Sequence, residues 1–572
     1  MKTTLRTTIA AIFLLGFFCA VPPPRAAADD APNAEAAAKA RTAAAGDPIL
    51  SVLLVELERS NVNLKMEGVP APYYIEYRVH EIESYNADAA FGALREERHS
   101  RGRVLRAVVR VGDYKQDSYF GQGAGETEYL PIDNDPIALR RQIWLATDEA
   151  YKNATESLTQ KQAYLKQFAA DPNPVDDFAR STPVDTVGQL ARLSADEPAW
   201  KSLLLEATDL YRQYPAVQSL SASLRFMTIN EYFVNSEGSV TREGRSSYSL
   251  ALSAMTQAAD GMRLFRNPDW NVAKIEEMPS RSAILGEMRK ALDSLVALRE
   301  APIAEEEYRG PVLFSADAAN DIFASLIGNN VLGHKPQPGK PNRTTGLFAT
   351  SLKSRVLPRF LTIVDDPSVK QFQGKSLLGS YSVDSEGVRA QAVVAVDKGT
   401  LTNYLVGRQP IRDFTASNGH GRSTPGGVPQ PSIGSLFIRS DEPKPAAEMR
   451  KQLLDMLREQ QRPYGYRVET LGGVNTPRLL YRLYAQDGHE ELVRGAVFSE
   501  LDVRTLRNNL IAAGDDPLVS NRPGGTPTSV VSPSILLDEL EIKRADTTKD
   551  KLPEYPAPPL AAPGVNTKHE SK

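Results

Sequence analysis

The chain has 572 residues, 41% of them hydrophobic and 24% charged, with a formal net charge of −4. At about 150 residues per domain, that length divides into more than one core, and the near-neutral charge gives no footprint for nucleic acid or anionic lipid. The single cysteine, Cys19, sits in a segment expected to be removed, which excludes disulfides, a cysteine nucleophile and thiolate metal ligands from the mature chain.

In chain order, Lys2 and Arg6 precede the apolar run Ile9 to Val21, and Ala26-Ala27-Ala28 then offers a small-residue cleavage site. This is the pattern of an export signal over 1–28, so a periplasmic or extracellular location is expected. Phe17-Phe18 is too bulky for a lipoprotein site at Cys19. No later run reaches 18 apolar residues, so no stable membrane insertion is expected after cleavage. Residues 29–46 are Ala-rich without an apolar face and read as a flexible lead.

A first domain is expected over 47–304. Leu50, Leu53, Leu54 and Leu57 share one side of a helix over Ile49 to Arg59. Tyr73 to Val79 and Val104 to Val111 read as strands. A helical segment occupies about 136–214, in two pieces broken by a loop rich in Asp and Pro. Strands resume at Ser219, with a hairpin turn at Ser236-Glu237-Gly238, and Arg281 to Leu298 is a further helix.

From about residue 305 the pattern changes to short apolar runs between turns, such as "FLTIVDDP", "AQAVVAVDKGTLTNYLV" and "ILLDELEIKR". A β-rich, barrel-like domain is expected over 305–545, followed by a Pro- and Lys-rich disordered tail over 546–572. The fold class is therefore α+β in two domains.

Few motifs survive a chemical test. In "FSADAANDIFASLIGNNVLGHKP", Gly328 and Gly333 have phosphate-loop spacing, but His334 follows where Lys is needed. The helix also precedes the loop, so no helix N-terminus faces an anion. His80-Glu81 and His489-Glu490 begin zinc-helix patterns that Ser84, Tyr85, Val493 and Arg494 leave incomplete; both histidines are expected at the surface. No Gly-x-Ser-x-Gly elbow occurs. Asp384-Ser385-Glu386-Gly387 reads as a turn and Asp365-Asp366-Pro367 as a strand end. The long loop Phe414 to Ser435 carries Asn418, His420 and Arg422, and His420, Arg422 and Asp384 are the candidate catalytic residues.

Four stretches taken in order, "YRGPVLFSADAANDIFASLIGNNVLG", "LTIVDDPSVKQFQGKSLLGSYSVDSEGVRAQAVVAVDKGTLTNYLVGR", "SNGHGRS" and "VVSPSILLDELEIKR", resemble the TldD/PmbA metallopeptidase family. The resemblance implies a two-domain α+β subunit with a β-rich C-terminal domain, and dimers. It also implies, for the TldD branch, a zinc held by HExxxH and a distal cysteine. Phe323, Ala324 and Gly328 stand where the first histidine, the glutamate and the second histidine would be, and Val531 to Ser534 has no thiol. The chain is thus similar to the PmbA branch. The resemblance implies a non-catalytic subunit without its own cofactor, with zinc entering only through a TldD-like catalytic partner, or a homodimer, and with peptide or unfolded protein as substrate. An active hydrolase centred near His420 and a stand-alone binding protein are the alternative expectations. On physical grounds Ser315 caps the helix, and Ala319, Ile322, Phe323, Leu326 and Ile327 form one buried face.

Overall fold

The computed structural model describes residues 42, 44–168, 174–337, 340 and 342–555. The expected signal, most of the lead, and the tail beyond 555 lie outside the described residues. The lead ends sooner than expected: Ala44 is buried in one core with Ile49 and Leu53. The tail keeps contact up to Lys551, whose carbonyl accepts Gln257 Nε2 at 3.1 Å.

Two hairpins build the N-terminal sheet. β1 (Tyr74–Ala90) and β2 (Ala93–Arg110) are 17 and 18 residues long and turn through Phe91 and Gly92, both at positive φ. These strands run far beyond the two short ones expected. The added residues Ala93 to Arg101 are exposed and mostly charged, so no apolar alternation marks them. β3 (Glu126–Tyr129) and β4 (Asp185–Val187) are the outer strands. β5 (Ser219–Asn235) and β6 (Val240–Gln257) form the second hairpin, and Gly238 takes φ +102° in its turn. The order is β3-β2-β1-β5-β6-β4; β7 (Arg263–Arg266) and β8 (Asp269–Val272) also pair with β6.

Pleating divides β1 by parity. Ile75, Tyr77 and Val79 pack under α1 (Pro48–Asn63) and α2 (Pro136–Leu165). Tyr85, Ala87 and Ala89 pack under α3 (Glu197–Asp209) and α4 (Arg281–Glu300) on the same face. Asp47-Pro48 and Asp135-Pro136 each start a helix, with the aspartate oxygen accepting the next free N–H groups. The opposite face carries Glu76, Arg78 and His80, all buried. His80 was expected at the surface; it lies instead 3.3 Å from Glu231 of β5, under the C-terminal half.

The C-terminal half holds two larger sheets. One orders Thr400–Leu401, Val393–Asp397, β10 (Leu361–Asp365), Ser435–Ser440, Thr528–Ser532 and Leu518–Arg522. The other centres on β9 (Glu307–Phe314), between Ile535–Arg544 and Tyr464–Leu471. Among the described residues neither sheet closes on itself, so the expected barrel-like domain is two open sheets around a shared core. That core takes Val312 and Phe314 from one sheet, Ile363 and Leu436 from the other, and Ile322, Phe323 and Ile327 from the helical segment between them.

Candidate functional site

The helical segment follows β9 directly. α5 (Ala316–Phe323) begins at Ser315, whose Oγ accepts Ala318 N–H at 3.2 Å and donates to the carbonyl of Glu469 at 2.6 Å. The next five residues, Ala324–Gly328, form a π turn. On an α-helix, residues five apart diverge by about 140°. A π turn bonds residue i to i+5 and brings them onto one side. Phe323 and Gly328 are such a pair.

Their surroundings are apolar. Phe323 and Ile327 are fully buried in the shared core. A Cβ added at Gly328 would touch Ile433 Cδ1 at 3.4 Å and Leu436 Cδ2 at 3.6 Å. The strand Thr528–Ser532 packs beside α5, but the hydroxyls near its end are taken: Ser532 Oγ donates to Pro533 O and Ser534 Oγ to Asp516 Oδ1. No nitrogen, carboxylate or sulfur donor among the described residues replaces a ligand around Phe323 and Gly328, so the side chains there do not fit a zinc ion. Among the described residues no three His, Cys, Asp or Glu side chains gather as a metal site.

The other three candidates come together. The turn after Val383 is tied by Asp384, whose Oδ1 accepts the N–H groups of Glu386 and Val388 at 3.0 and 2.9 Å. Its Oδ2 reaches across to Gly421 N–H at 2.9 Å. His420, beside it, has Nε2 3.1 Å from Asp365 Oδ1 and Nδ1 3.0 Å from the carbonyl of Asn418. Asp365 also accepts the N–H groups of Gly434 and Ser435. Arg422 donates to Ile433 O at 2.7 Å and lies 4.7 Å from the Tyr381 ring centroid. Sequence reasoning grouped His420 with Arg422 and read Asp365 as a strand end and Glu386 as part of a turn, without joining either to the loop. Asp365 closes β10, and only the fold carries it 55 positions along to the histidine.

The charges in this nest are shifted by their surroundings. Burial pushes the carboxyls of Asp384 and Glu386 up, and the Glu386 charge raises Asp384 further, while Arg408 holds Glu386 down in part. Burial lowers the Arg422 guanidinium and the His80 imidazole. His420 and Asp365 are completely buried, and His420 has both nitrogens engaged. The geometry suits a brace that fixes the loop Phe414 to Ser435, with no path for a substrate to the imidazole.

Residues 307–544 match the PmbA/TldA metallopeptidase C-terminal domain. Over these residues the chain is similar to the TldD/PmbA family. A metalloprotease of Methanothermobacter thermautotrophicus is 25% identical over 225 residues, which are 39% of this chain and 46% of that relative. A TldD homolog of Buchnera aphidicola is 21% identical over 342 residues, 58% of this chain and 66% of its own length. The chain thus spans about half to two thirds of the length of these curated relatives. The fold is also that of solved structures. TldE of Thermococcus kodakarensis superposes with a TM-score of 0.52 at 13% identity, covering 83% of this chain and 97% of that one. A Thermotoga maritima protein solved as a candidate modulator of DNA gyrase gives 0.58 at 16% identity, covering 86% and 100%. The fold shared with these structures carries an apolar π turn over Ala324–Gly328.

Proposed function

We propose that this chain is a non-catalytic TldD/PmbA subunit that binds peptides and scaffolds a TldD-like zinc peptidase in proteolysis. It acts outside the cytoplasm, as a dimer with that partner or with itself. One observation carries the reading: the π turn keeps residues five apart on one side, but Phe323, Ala324 and Gly328 fill that side with packing. The export signal read in Lys2 to Ala28 supports the location. No observation favours a hydrolase at His420, because its ring is buried and both nitrogens are occupied.

The test is metal analysis and peptide hydrolysis by the purified chain alone, then with a TldD-type subunit. The expected result is no stoichiometric zinc and no turnover alone, and co-elution with the catalytic subunit. Stoichiometric zinc with turnover abolished by a chelator would overturn the proposal.

A further inference from the structure

A polar cleft of about 540 Å³ opens on the N-terminal half, and its lining includes neither α5 nor His420. Its walls are Tyr73, Tyr114, Arg180, Ser236 and Glu237, with Asn61 at the rim. The two tyrosine rings meet edge to face, with centroids 4.7 Å apart. Tyr73 Oη donates to the fully buried Asp117 at 2.8 Å, and Tyr114 Oη donates to Glu237 at 3.0 Å. The rings are therefore fixed from behind, and their positions do not depend on a ligand.

The charges in the cleft are unequal in their satisfaction. Glu237 is neutralised by the buried Arg408, which donates to it at 2.8 Å. Arg180 lies 3.9 Å over the Tyr114 ring, and no carboxylate among the described residues is within ion-pair reach of it. Stacking holds the planar guanidinium in place, and among the described residues no acceptor takes its N–H edge. Ser236 Oγ accepts Ile75 N–H at 3.0 Å, so its own hydrogen remains available as a donor. The cleft thus presents a fixed cation, a hydroxyl donor and one open aromatic wall, Tyr73. A guanidinium of this kind pairs best with a carboxylate through two parallel hydrogen bonds.

We propose that this cleft binds the C-terminal carboxylate of a peptide, with Arg180 as its partner and the Tyr73 ring against the last side chain. The proposal rests on the peptide-binding reading above and adds the end of the peptide that is recognised.

The test uses the full chain and N-acetyl-Ala-Ala-Ala-Phe, prepared as the free acid and as the C-terminal amide, in a calorimetric titration. The free acid should bind about ten- to a hundred-fold more tightly than the amide, the usual weight of a charged hydrogen-bonded pair. Arg180→Ala should bring the acid to the level of the amide, and Arg180→Lys should retain part of the difference. Arg180 is exposed, so neither variant disturbs folding. If acid and amide bind equally and Arg180→Ala changes nothing, the cleft assignment fails while peptide binding itself stands. If neither peptide binds, both readings fail. If inorganic phosphate or acetate competes as strongly as the acid peptide, the cleft is a general anion site and the peptide assignment is overturned.

Discussion

Gly421 shows how tightly the loop around His420 is fitted. A Cβ there would collide with Glu386 Oε2, although the backbone conformation itself would accept any residue. Gly421→Ala must therefore push the Glu386 carboxylate off Arg408 N–H, which it accepts at 2.6 Å. Overpacking of this kind costs about 1–3 kcal/mol, to be read as a lowered midpoint in urea. A midpoint unchanged from the parent would mean that the loop is loose. Sequence alone marked this glycine only as part of a Gly-rich stretch. The candidate residues His420, Arg422 and Asp384 were legible because polar side chains in a long loop stand out. Their partners were not, because Asp365 and Glu386 are ordinary acidic residues until the fold buries them.

At the scale of the element, the turn Asp384 to Val388 carries a proton-linked load. Burial first, and mutual repulsion second, raise Asp384 above its unfolded pKa. A raised carboxyl contributes its stability fully at low pH and loses it as pH rises through the folded pKa. The parent should therefore lose stability between about pH 4 and pH 8, and Glu386→Gln should lose less. The expected readout is a melting temperature difference, variant minus parent, that grows with pH; a difference independent of pH would place the proton elsewhere. The α5 segment supports a second prediction. Phe323→His, Ala324→Glu and Gly328→His together restore the family motif on the π turn. They supply no third ligand, because Ser532 and Ser534 are committed to other oxygens. The histidine at 328 must also displace Ile433 and Leu436. The triple variant should bind no stoichiometric zinc by mass spectrometry and should melt lower, since losing a buried phenylalanine costs about 3–5 kcal/mol. The helix and its cap were legible in the sequence from Ser315 and the apolar face. The π turn was not, because hydrophobic spacing does not distinguish it from one more α turn. The long β1–β2 hairpin was missed for a related reason: the first half of β2 is mostly charged and exposed, so no apolar alternation marks it.

For the whole molecule, the question is what joins a sheet read as one domain to a half read as another. The polar face of the N-terminal sheet supplies the answer. Arg78 donates to Ser385 O at 3.0 Å and Ser423 Oγ at 2.8 Å, and Arg106 donates to Gly426 O at 3.2 Å. In return Arg408, from the C-terminal half, donates to Ala179 O through Nε and Nη2 at 2.9 and 2.7 Å. Its guanidinium lies 3.9 Å over Phe178 and pairs with Glu237. These buried arginines were invisible as a set in the sequence, since each sits in an ordinary strand or loop pattern. Arg408→Met keeps most of the apolar stem and removes the charge, leaving Glu237 without its cation and Ala179 O without its donors. Breaking a buried pair in this way costs about 3–5 kcal/mol, measurable by urea unfolding of the full chain. A cost below about 1 kcal/mol would match an exposed pair. The two halves would then be held by the apolar contacts around them, and not by the arginines that cross the junction.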